Sequence, residues 1–230
     1  PVYAKLSNEL DRYRQIIDPI RKAAMLGIPA LLGLFAGLGT AGTWPQFLLW
    51  MNREPFGRVD PEFGLDVGFY VFELPVFNSV IGFASTIVLL SAVGTVLTGF
   101  LYGAISLNGR ELRISRTMRI QLGIIGVIYF VVQAVNLWLQ QYVTLVSPSG
   151  GFLPFGAGFT EASATIPARA IMAGIAIVVA LLFLATAIIG RWRLAVIGTA
   201  LYIISGLVFG LGSPALLQRF QVHPHPRPLK

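Results

Sequence analysis

Five long apolar segments that contain no charged residue and no histidine dominate this sequence. They cover residues 23–41, 76–102, 120–139, 170–190 and 194–212. Each segment has about 19–27 residues, and roughly 20 helical residues cross the ~30 Å hydrocarbon core of a membrane. A soluble helix of this length would present a polar face to water, which these segments lack. We therefore expect an all-α fold, a polytopic transmembrane helix bundle with five spans in this chain.

The composition excludes most soluble and thiol-based functions. Charged residues make up 12% of the 230 residues, whereas soluble domains carry about 25%. The absence of cysteine excludes disulfides, thiolate metal sites and a cysteine nucleophile. The net charge of +7 does not indicate nucleic-acid binding, because the sequence has no basic stripe with interleaved aromatic residues.

The placement of lysine and arginine predicts the orientation of the chain. Eleven of them lie before the first span, between the second and third spans, or between the fourth and fifth spans, and the other loops hold six. By the positive-inside rule we expect a multipass protein of the plasma membrane, with the N-terminus of this chain in the cytoplasm and its C-terminus outside. On the cytoplasmic side, Asn108-Gly109 between short apolar-alternating stretches predicts a β-hairpin, and Ser115 is the expected N-cap of the third span.

We divide the chain into three parts. Residues 1–18 have apolar residues at helical spacing and basic residues off that stripe, which predicts an amphipathic segment on the cytoplasmic membrane surface. The alternative is that they continue an earlier spanning helix. Residues 19–212 form the five-span domain. Residues 213–230 are too rich in proline for a helix and predict an extracytoplasmic exit tail.

The loop at residues 42–74 is long, acidic overall and rich in aromatic residues and glycine. This composition favours a folded cap at the membrane interface over a flexible link. The residues that we expect to shape the cap or to carry its contacts are Asp60, Pro61, Phe63, Gly64, Asp66, Gly68, Phe69, Tyr70 and Pro75. A second long loop, residues 140–166, is predicted on the same side, where the two loops can pack on each other.

Three acidic residues of the first loop, Asp60, Glu62 and Asp66, are candidate ligands for Ca²⁺, which prefers carboxylate oxygens. Their spacing does not match an EF-hand loop, because Gly64 stands at its fifth position. In the competing interpretation, Asp60 and Asp66 cap turns by accepting hydrogen bonds from local backbone N–H groups. We favour turn capping, and we expect no cofactor.

Three polar residues of the third span, Gln133, Asn136 and Gln140, share one helix face because they lie at i, i+3 and i+7. Polar groups in hydrocarbon are costly unless they are paired, so this face should point into the bundle or into a water-filled cavity. It either lines a substrate path or only bonds the second span, where the candidate partners are Asn78, Ser85 and Thr86. We favour the structural interpretation.

Residues 55–75 carry a distinctive motif, Pro-Phe-Gly-x-x-Asp-Pro-x-Phe-Gly-x-Asp-x-Gly-Phe-Tyr-x-Phe-x-Leu-Pro. This motif resembles a family of uncharacterised bacterial membrane proteins, and so do residues 156–161 and 166–169 around the second loop, and Pro214 and residues 218–222 at the exit of the last span. The resemblance covers nearly the whole chain. It implies a full-length protein with about seven spans, two of them before Pro1, and a large extracytoplasmic region after Val222. The family has no established activity, so the resemblance implies no catalytic residue.

Missing motifs narrow the function further. No span holds an ionisable residue, which argues against a proton relay or voltage sensor in these helices. A Gly-Lys-Ser/Thr phosphate loop is absent, and both histidines lie in the tail, which leaves no Ser-His-Asp set. We therefore expect no ATP hydrolysis by this chain, and we favour a role without enzymatic activity.

Two classes of function remain, and a third is weaker. The first is a membrane module that anchors and orients an extracytoplasmic domain, in envelope upkeep or as a subunit of a membrane complex. The alternative is a transport or permeation module for a neutral or lipidic solute. A membrane enzyme that uses the acids of the first loop is the third. The expected partners are membrane lipids and either further copies of the chain or a larger membrane-protein complex, without nucleic acid.

Overall fold

The computed structural model describes residues 21–101, 103–108, 111–147 and 164–212. The predicted amphipathic segment at 1–18, the turn residues 109–110, most of the second loop and the tail at 213–230 lie outside these ranges. The chain divides into two units, Pro1–Pro45 and Gln46–Lys230. The first unit contains helix α1 (Arg21–Thr40), which is followed by a 3-10 turn at Ala41–Thr43.

The second unit is built from four long helices. Helix α2 (Trp44–Met51) starts at the boundary between the units, and a π-helical turn at Phe69–Glu73 leads into α3. The long helices are α3 (Leu74–Leu101), α4 (Arg116–Val146), α5 (Ile166–Ile189) and α6 (Trp192–Leu207), and a π-helical turn at Val208–Gly212 follows α6. Helix α4 packs against α3 and α5, and α5 also packs against α6.

Five segments of the described chain are long and apolar enough to cross a membrane: Leu26–Met51, Phe69–Phe100, Arg116–Val146, Ile166–Ile189 and Trp192–Gly210. They confirm the predicted all-α membrane fold with five spans. The predicted loops at 42–74 and 140–166 both start too early, because α2 and α4 continue to Met51 and Val146. Residues 44–51 and 140–146 contain no glycine, and Pro45 falls in the first turn of α2, where proline is tolerated.

The predicted hairpin is present between α3 and α4. Strands β1 (Ile105–Asn108) and β2 (Glu111–Ile114) pair antiparallel, with Ile105 opposite Ile114 and Asn108 opposite Glu111. The side chain of Ser115 then accepts a hydrogen bond from the backbone N–H of Met118 at 3.3 Å, which confirms Ser115 as the N-cap of α4. We call this end of the bundle the hairpin end, and the end that carries residues 52–73 the cap end.

The approach of α4 to α5 depends on two glycines of α4. A Cβ atom built at Gly123 would lie 2.7 Å from the Cβ of Ala187, and one built at Gly126 would overlap the ring of Phe183. The buried cluster beside this contact consists of Phe130, Val179 and Ala180. Glycine therefore sets the distance between the two best-packed helices of the bundle.

Gly190 ends α5 in the left-handed conformation, with φ of 88°, and α6 begins two residues later. This short link makes α5 and α6 neighbouring antiparallel helices. Most other large apolar side chains of the long helices point away from the bundle, and Ile188, for example, is 74% exposed. Such surfaces are stable in lipid and would be unstable in water.

Candidate functional site

Residues 52–73, which we call the cap, form a compact turn structure between α2 and α3. Val59 and Asp66 pair as an isolated antiparallel bridge, and the N–H of Asp60 donates to the carbonyl of Leu65 at 2.8 Å. Gly57 and Gly64 have positive φ values of 68° and 67°, which L side chains rarely adopt. The glycines of the motif therefore allow the chain to reverse direction twice within the cap.

The carboxylate of Asp60 is the centre of the cap. One oxygen, Oδ1, accepts from the backbone N–H groups of Glu62 at 2.9 Å and Phe63 at 2.6 Å. The other, Oδ2, accepts from the N–H of Leu65 at 2.9 Å and from the hydroxyl of Tyr70 at 2.8 Å. Asp60 itself is buried, so these four donors replace the water that a carboxylate otherwise binds. Pro61 lies inside the turn that the carboxylate closes.

Asp66 closes the opposite side of the cap. Its carboxylate accepts from the backbone N–H groups of Phe56 at 3.1 Å, Gly57 at 2.9 Å and Gly68 at 2.7 Å. A Cβ atom at Gly68 would lie 2.8 Å from Oδ1 of Asp66 and 3.2 Å from the carbonyl oxygen of Glu54. Glycine at position 68 therefore lets the backbone approach the carboxylate.

Both aspartates have pKa values below the ordinary 3.8. Desolvation raises the pKa of Asp60, but the hydrogen bonds from Phe63, Tyr70, Leu65 and Glu62 together outweigh it. The N–H of Gly68 is the largest cause at Asp66, followed by the N–H of Phe56. Both carboxylates are thus held in the ionised form that accepts these hydrogen bonds.

In the cap, Asp60 and Asp66 accept the hydrogen bonds expected for turn capping. Every oxygen of Asp60 and Asp66 faces at least one hydrogen-bond donor, and Glu62 contributes its backbone N–H to the Asp60 turn. Within the described ranges, no three acidic or histidine side chains come close enough to hold a metal ion. The calcium interpretation of Asp60, Glu62 and Asp66 therefore has no geometric support in this part of the chain.

The cap is docked on the ends of α3 and α4 through its aromatic residues. Tyr70 and Leu74 form a buried cluster with Leu139 of α4. Phe63 and Phe69 both contact the ring of Tyr142, with centroid distances of 4.7 Å and 5.5 Å. Their edge-to-face geometry is favourable for aromatic pairs. Pro75 lies in the first turn of α3, and its carbonyl accepts from the Ser79 hydroxyl.

Two charged contacts lie on the outer part of the cap. Arg53 forms an ion pair with Glu73 at 3.2 Å and lies over the ring of Trp50, 5.6 Å from its centroid. Phe56 and Phe72 stack with centroids 5.7 Å apart. These exposed contacts add little stability, and they bring the two ends of the cap together.

The polar residues of α4 form a continuous hydrogen-bonded chain, which we call the polar ladder. Gln140 donates to Asn136 at 3.5 Å, Asn136 to Gln133 at 3.3 Å, and Gln133 to the hydroxyl of Ser85 on α3 at 3.3 Å. Of the other candidate partners, Thr86 donates to the carbonyl of Gly82 on its own helix, and Oδ1 of Asn78 is buried without a partner. The ladder thus joins α3 to α4.

The sequence did not single out two residues of the cap end that the structure places at central contacts. The ring of Tyr142 contacts the rings of both Phe63 and Phe69. Arg169 of α5 donates to the carbonyl of Gln140 and to the hydroxyl of Thr144, both on α4. Tyr142 and Thr144 follow Gln140, the last residue of the polar ladder, on α4. No local pattern in the sequence predicts which residues of other elements contact these two side chains.

The sequence is similar to those of known proteins along its whole length. It matches the uncharacterised protein family UPF0182 over residues 2–229. It is 51% identical to a UPF0182 protein of Clavibacter sepedonicus over 230 residues, which are the whole chain and 24% of that relative. It is also similar to UPF0182 proteins of an Arthrobacter species, at 39% identity, and of Tropheryma whipplei, at 38% identity, covering 23% and 24% of these relatives. No solved structure matches the chain.

The chain spans about a quarter of the length of these relatives. The match to the family includes nearly every residue of the chain. The resemblance read from the cap motif is thereby confirmed. This chain, with five segments of membrane-spanning length among its described residues, belongs to the uncharacterised protein family UPF0182.

Proposed function

We propose that this chain is an integral membrane module that anchors and orients an extracytoplasmic part of a longer protein. The observation that carries this proposal is the docking of the cap on α3 and α4 through Tyr70, Leu74 and Leu139. A cap held by internal hydrogen bonds and by a buried cluster has a fixed position on the bundle. It is therefore suited to hold the rest of a much longer chain in one orientation at the membrane surface.

The chemistry of the cap supports a structural role over catalysis. General acid–base catalysis needs a carboxyl group that exchanges protons near the working pH. The pKa values of Asp60 and Asp66 lie below 3.8, and their oxygens are occupied by local donors. Neither group is poised to transfer protons at neutral pH.

The polar ladder is the feature on which the transport alternative depends. Its amides bond one another and Ser85, so most of its polar groups are satisfied within the protein. A path for a solute needs polar groups that face open space. This pairing supports a role of the ladder in helix packing.

We expect the double variant Gln133→Leu/Asn136→Leu to reach the membrane at wild-type levels, with a small loss of stability. Interhelical hydrogen bonds in membranes contribute about 0.6 kcal/mol on average, and leucine fits the apolar surroundings. The measurement is the amount of full-length protein in the membrane and its thermal denaturation midpoint in mild detergent. Ser91→Ala on α3 is the matched control, because its hydroxyl bonds only its own helix, at Ile87. Normal assembly combined with a collapse of solute flux would favour the transport module.

A protease cut in the tail tests the anchor directly. We expect that a specific cleavage site placed between His223 and Pro228 of the full-length protein is cut by protease added outside intact cells. The part of the protein beyond the tail should then leave the membrane pellet and appear in the soluble fraction, because this module would be its anchor. Fractionation followed by immunoblotting measures the release.

The control for that experiment carries the same cleavage site at Gly109-Arg110 of the hairpin turn. We expect this site to be cut only when the protease is inside the cell, since the positive-inside rule places the hairpin in the cytoplasm. Cleavage of the tail without release would contradict the anchor, and cleavage of the hairpin site from outside would reverse the orientation.

Lipid is the partner that we propose for the apolar outer faces of the helices. The side chains on these faces are largely exposed: Leu97 of α3 is 60% exposed, Leu181 of α5 59% and Ile197 of α6 59%. The same faces are also suited to further copies of the chain or to the remaining spans of the longer protein. We propose that these copies or spans pack against the outer faces of the bundle where lipid does not.

A further inference from the structure

Arg119 lies in the first turn of α4, and its side chain covers the link between α5 and α6. A Cβ atom built at Gly190 would lie 2.9 Å from both Cζ and one terminal nitrogen of the Arg119 guanidinium. The left-handed φ of Gly190 and its missing side chain therefore create the surface on which the guanidinium rests. The contact fixes Arg119 at the hairpin end of the bundle.

The guanidinium of Arg119 lacks a partner in the described part of the chain. Its Nε atom is buried without a hydrogen-bond acceptor, and the ion pair found among the described residues joins Arg53 and Glu73 at the cap end. The carbonyl of Arg191 accepts the Thr186 hydroxyl, and the carbonyl of Thr186 accepts the N–H of Gly190. A partly buried cation without an acceptor is costly unless an anion joins it.

Three more arginines lie near Arg119 in the fold. Arg116 precedes it by one helical turn, and Arg191 and Arg193 flank the start of α6, directly beside Gly190; all three are exposed. In the described chain the acidic residues are concentrated in the cap, and only Glu111 of β2 belongs to the hairpin end. The hairpin end thus presents a cluster of guanidinium groups, which bind phosphate oxygens in a bidentate manner.

The surface below this cluster is apolar. Ile188 and Ile189 at the end of α5 are 74% and 64% exposed, and Trp192 at the start of α6 is also exposed. Tryptophan at this position is typical of the membrane–water interface. A ligand that fits both surfaces has a phosphate head and a hydrocarbon tail.

We infer that Arg119, together with Arg116, Arg191 and Arg193, forms a binding site for the phosphate of an anionic phospholipid at the hairpin end. The guanidinium of Arg119, held on Gly190, supplies the fixed donor group. The three exposed arginines supply further positive charge, and the acyl chains lie along Ile188 and Ile189. The site is independent of the anchoring role, because it lies at the opposite end of the bundle from the cap.

The test uses full-length protein in mild detergent, with binding of phosphatidylglycerol and phosphatidylcholine measured by native mass spectrometry and by thermal stabilisation. We expect wild-type protein to bind phosphatidylglycerol at least about tenfold more tightly than phosphatidylcholine, which corresponds to ~1.4 kcal/mol. Arg119→Gln should lose most of this preference, and Arg119→Lys should keep part of it. The matched control is Arg58→Gln, which removes the same charge from an exposed position at the cap end.

Three results would overturn the proposal. The first is a wild-type protein that does not distinguish the two lipids, a measurement that requires no variant to fold. The second is an equal loss of preference in Arg119→Gln and Arg58→Gln, which would indicate diffuse attraction. In the third, inorganic phosphate at the concentration of the lipid displaces phosphatidylglycerol, which would identify a site for free phosphate instead.

Discussion

Replacing Gly126 by leucine should separate α4 from α5 and destabilise the protein by about 3 kcal/mol, the upper part of the range for overpacked cores. Even the first added carbon would overlap the ring of Phe183. That ring cannot retreat freely, because its centroid lies 5.2 Å from that of Phe130, which is buried. The measurement is the thermal denaturation midpoint of the full-length protein in mild detergent, read by size-exclusion chromatography.

Gly174→Leu is the matched control for this variant. Gly174 lies on α5, is exposed, and has no atom within 4 Å of a built Cβ. Both substitutions bring the same gain in helix propensity, so the difference between them reports packing alone. Adding Phe183→Ala to Gly126→Leu should restore part of the loss. Equal stability of the two glycine variants would contradict the proposed role of Gly126.

The helices could be predicted because their cause is local. A run of about 20 uncharged apolar residues is enough to indicate a span, whatever surrounds it. The N-cap at Ser115 and the pairing of β1 with β2 also have local causes, and the structure has the N-cap and the hairpin where the sequence predicts them. The starts of the two long loops were predicted less well, because each loop was placed where an uninterrupted apolar run ends, whereas helix is present at Trp44–Met51 and continues to Val146.

The turn-capping role of Asp60 and Asp66 could also be predicted from the sequence, because most of the groups that donate hydrogen bonds to each carboxylate lie within five residues of it. What the sequence left open was the choice between capping and a cation. That choice depends on where the donors point, which is a property of the folded backbone. The hydroxyl of Tyr70, ten residues from Asp60, completes the set.

Long-range partners could not be predicted, because no local pattern encodes them. Three residues of α3 were equivalent candidates for the ladder, and only the relative rotation of α3 and α4 selects Ser85. The contacts of Tyr142 with the cap join positions more than seventy residues apart in sequence. The glycine contact at Gly126 is similar, since it depends on which helix packs against that face.

Replacing Asp60 by alanine should open the cap while leaving the helices folded. Three backbone N–H groups and the hydroxyl of Tyr70 would lose their acceptor. Unsatisfied donors cost about 1–3 kcal/mol each when they stay buried, so we expect a loss near 3 kcal/mol after water enters the loop. Hydrogen exchange of residues 53–73, measured by mass spectrometry in nanodiscs, should accelerate roughly 100-fold. Exchange in α4 and α5 should remain unchanged.

The pH dependence separates the charge of Asp60 from its shape. Its native pKa lies below the unfolded value of 3.8, so its contribution is complete above pH 3.8 and is lost as the pH falls through the native pKa. Exchange rates corrected for intrinsic pH effects should therefore be constant from neutral pH to about pH 5 and rise below pH 3.8. In Asp60→Asn the acid-induced rise should shrink to the part contributed by Asp66, whose pKa is also lowered. If wild type and Asp60→Asn exchange alike at neutral pH, the ionised carboxylate does not hold the cap, and the proposed orientation of the longer protein loses its physical basis.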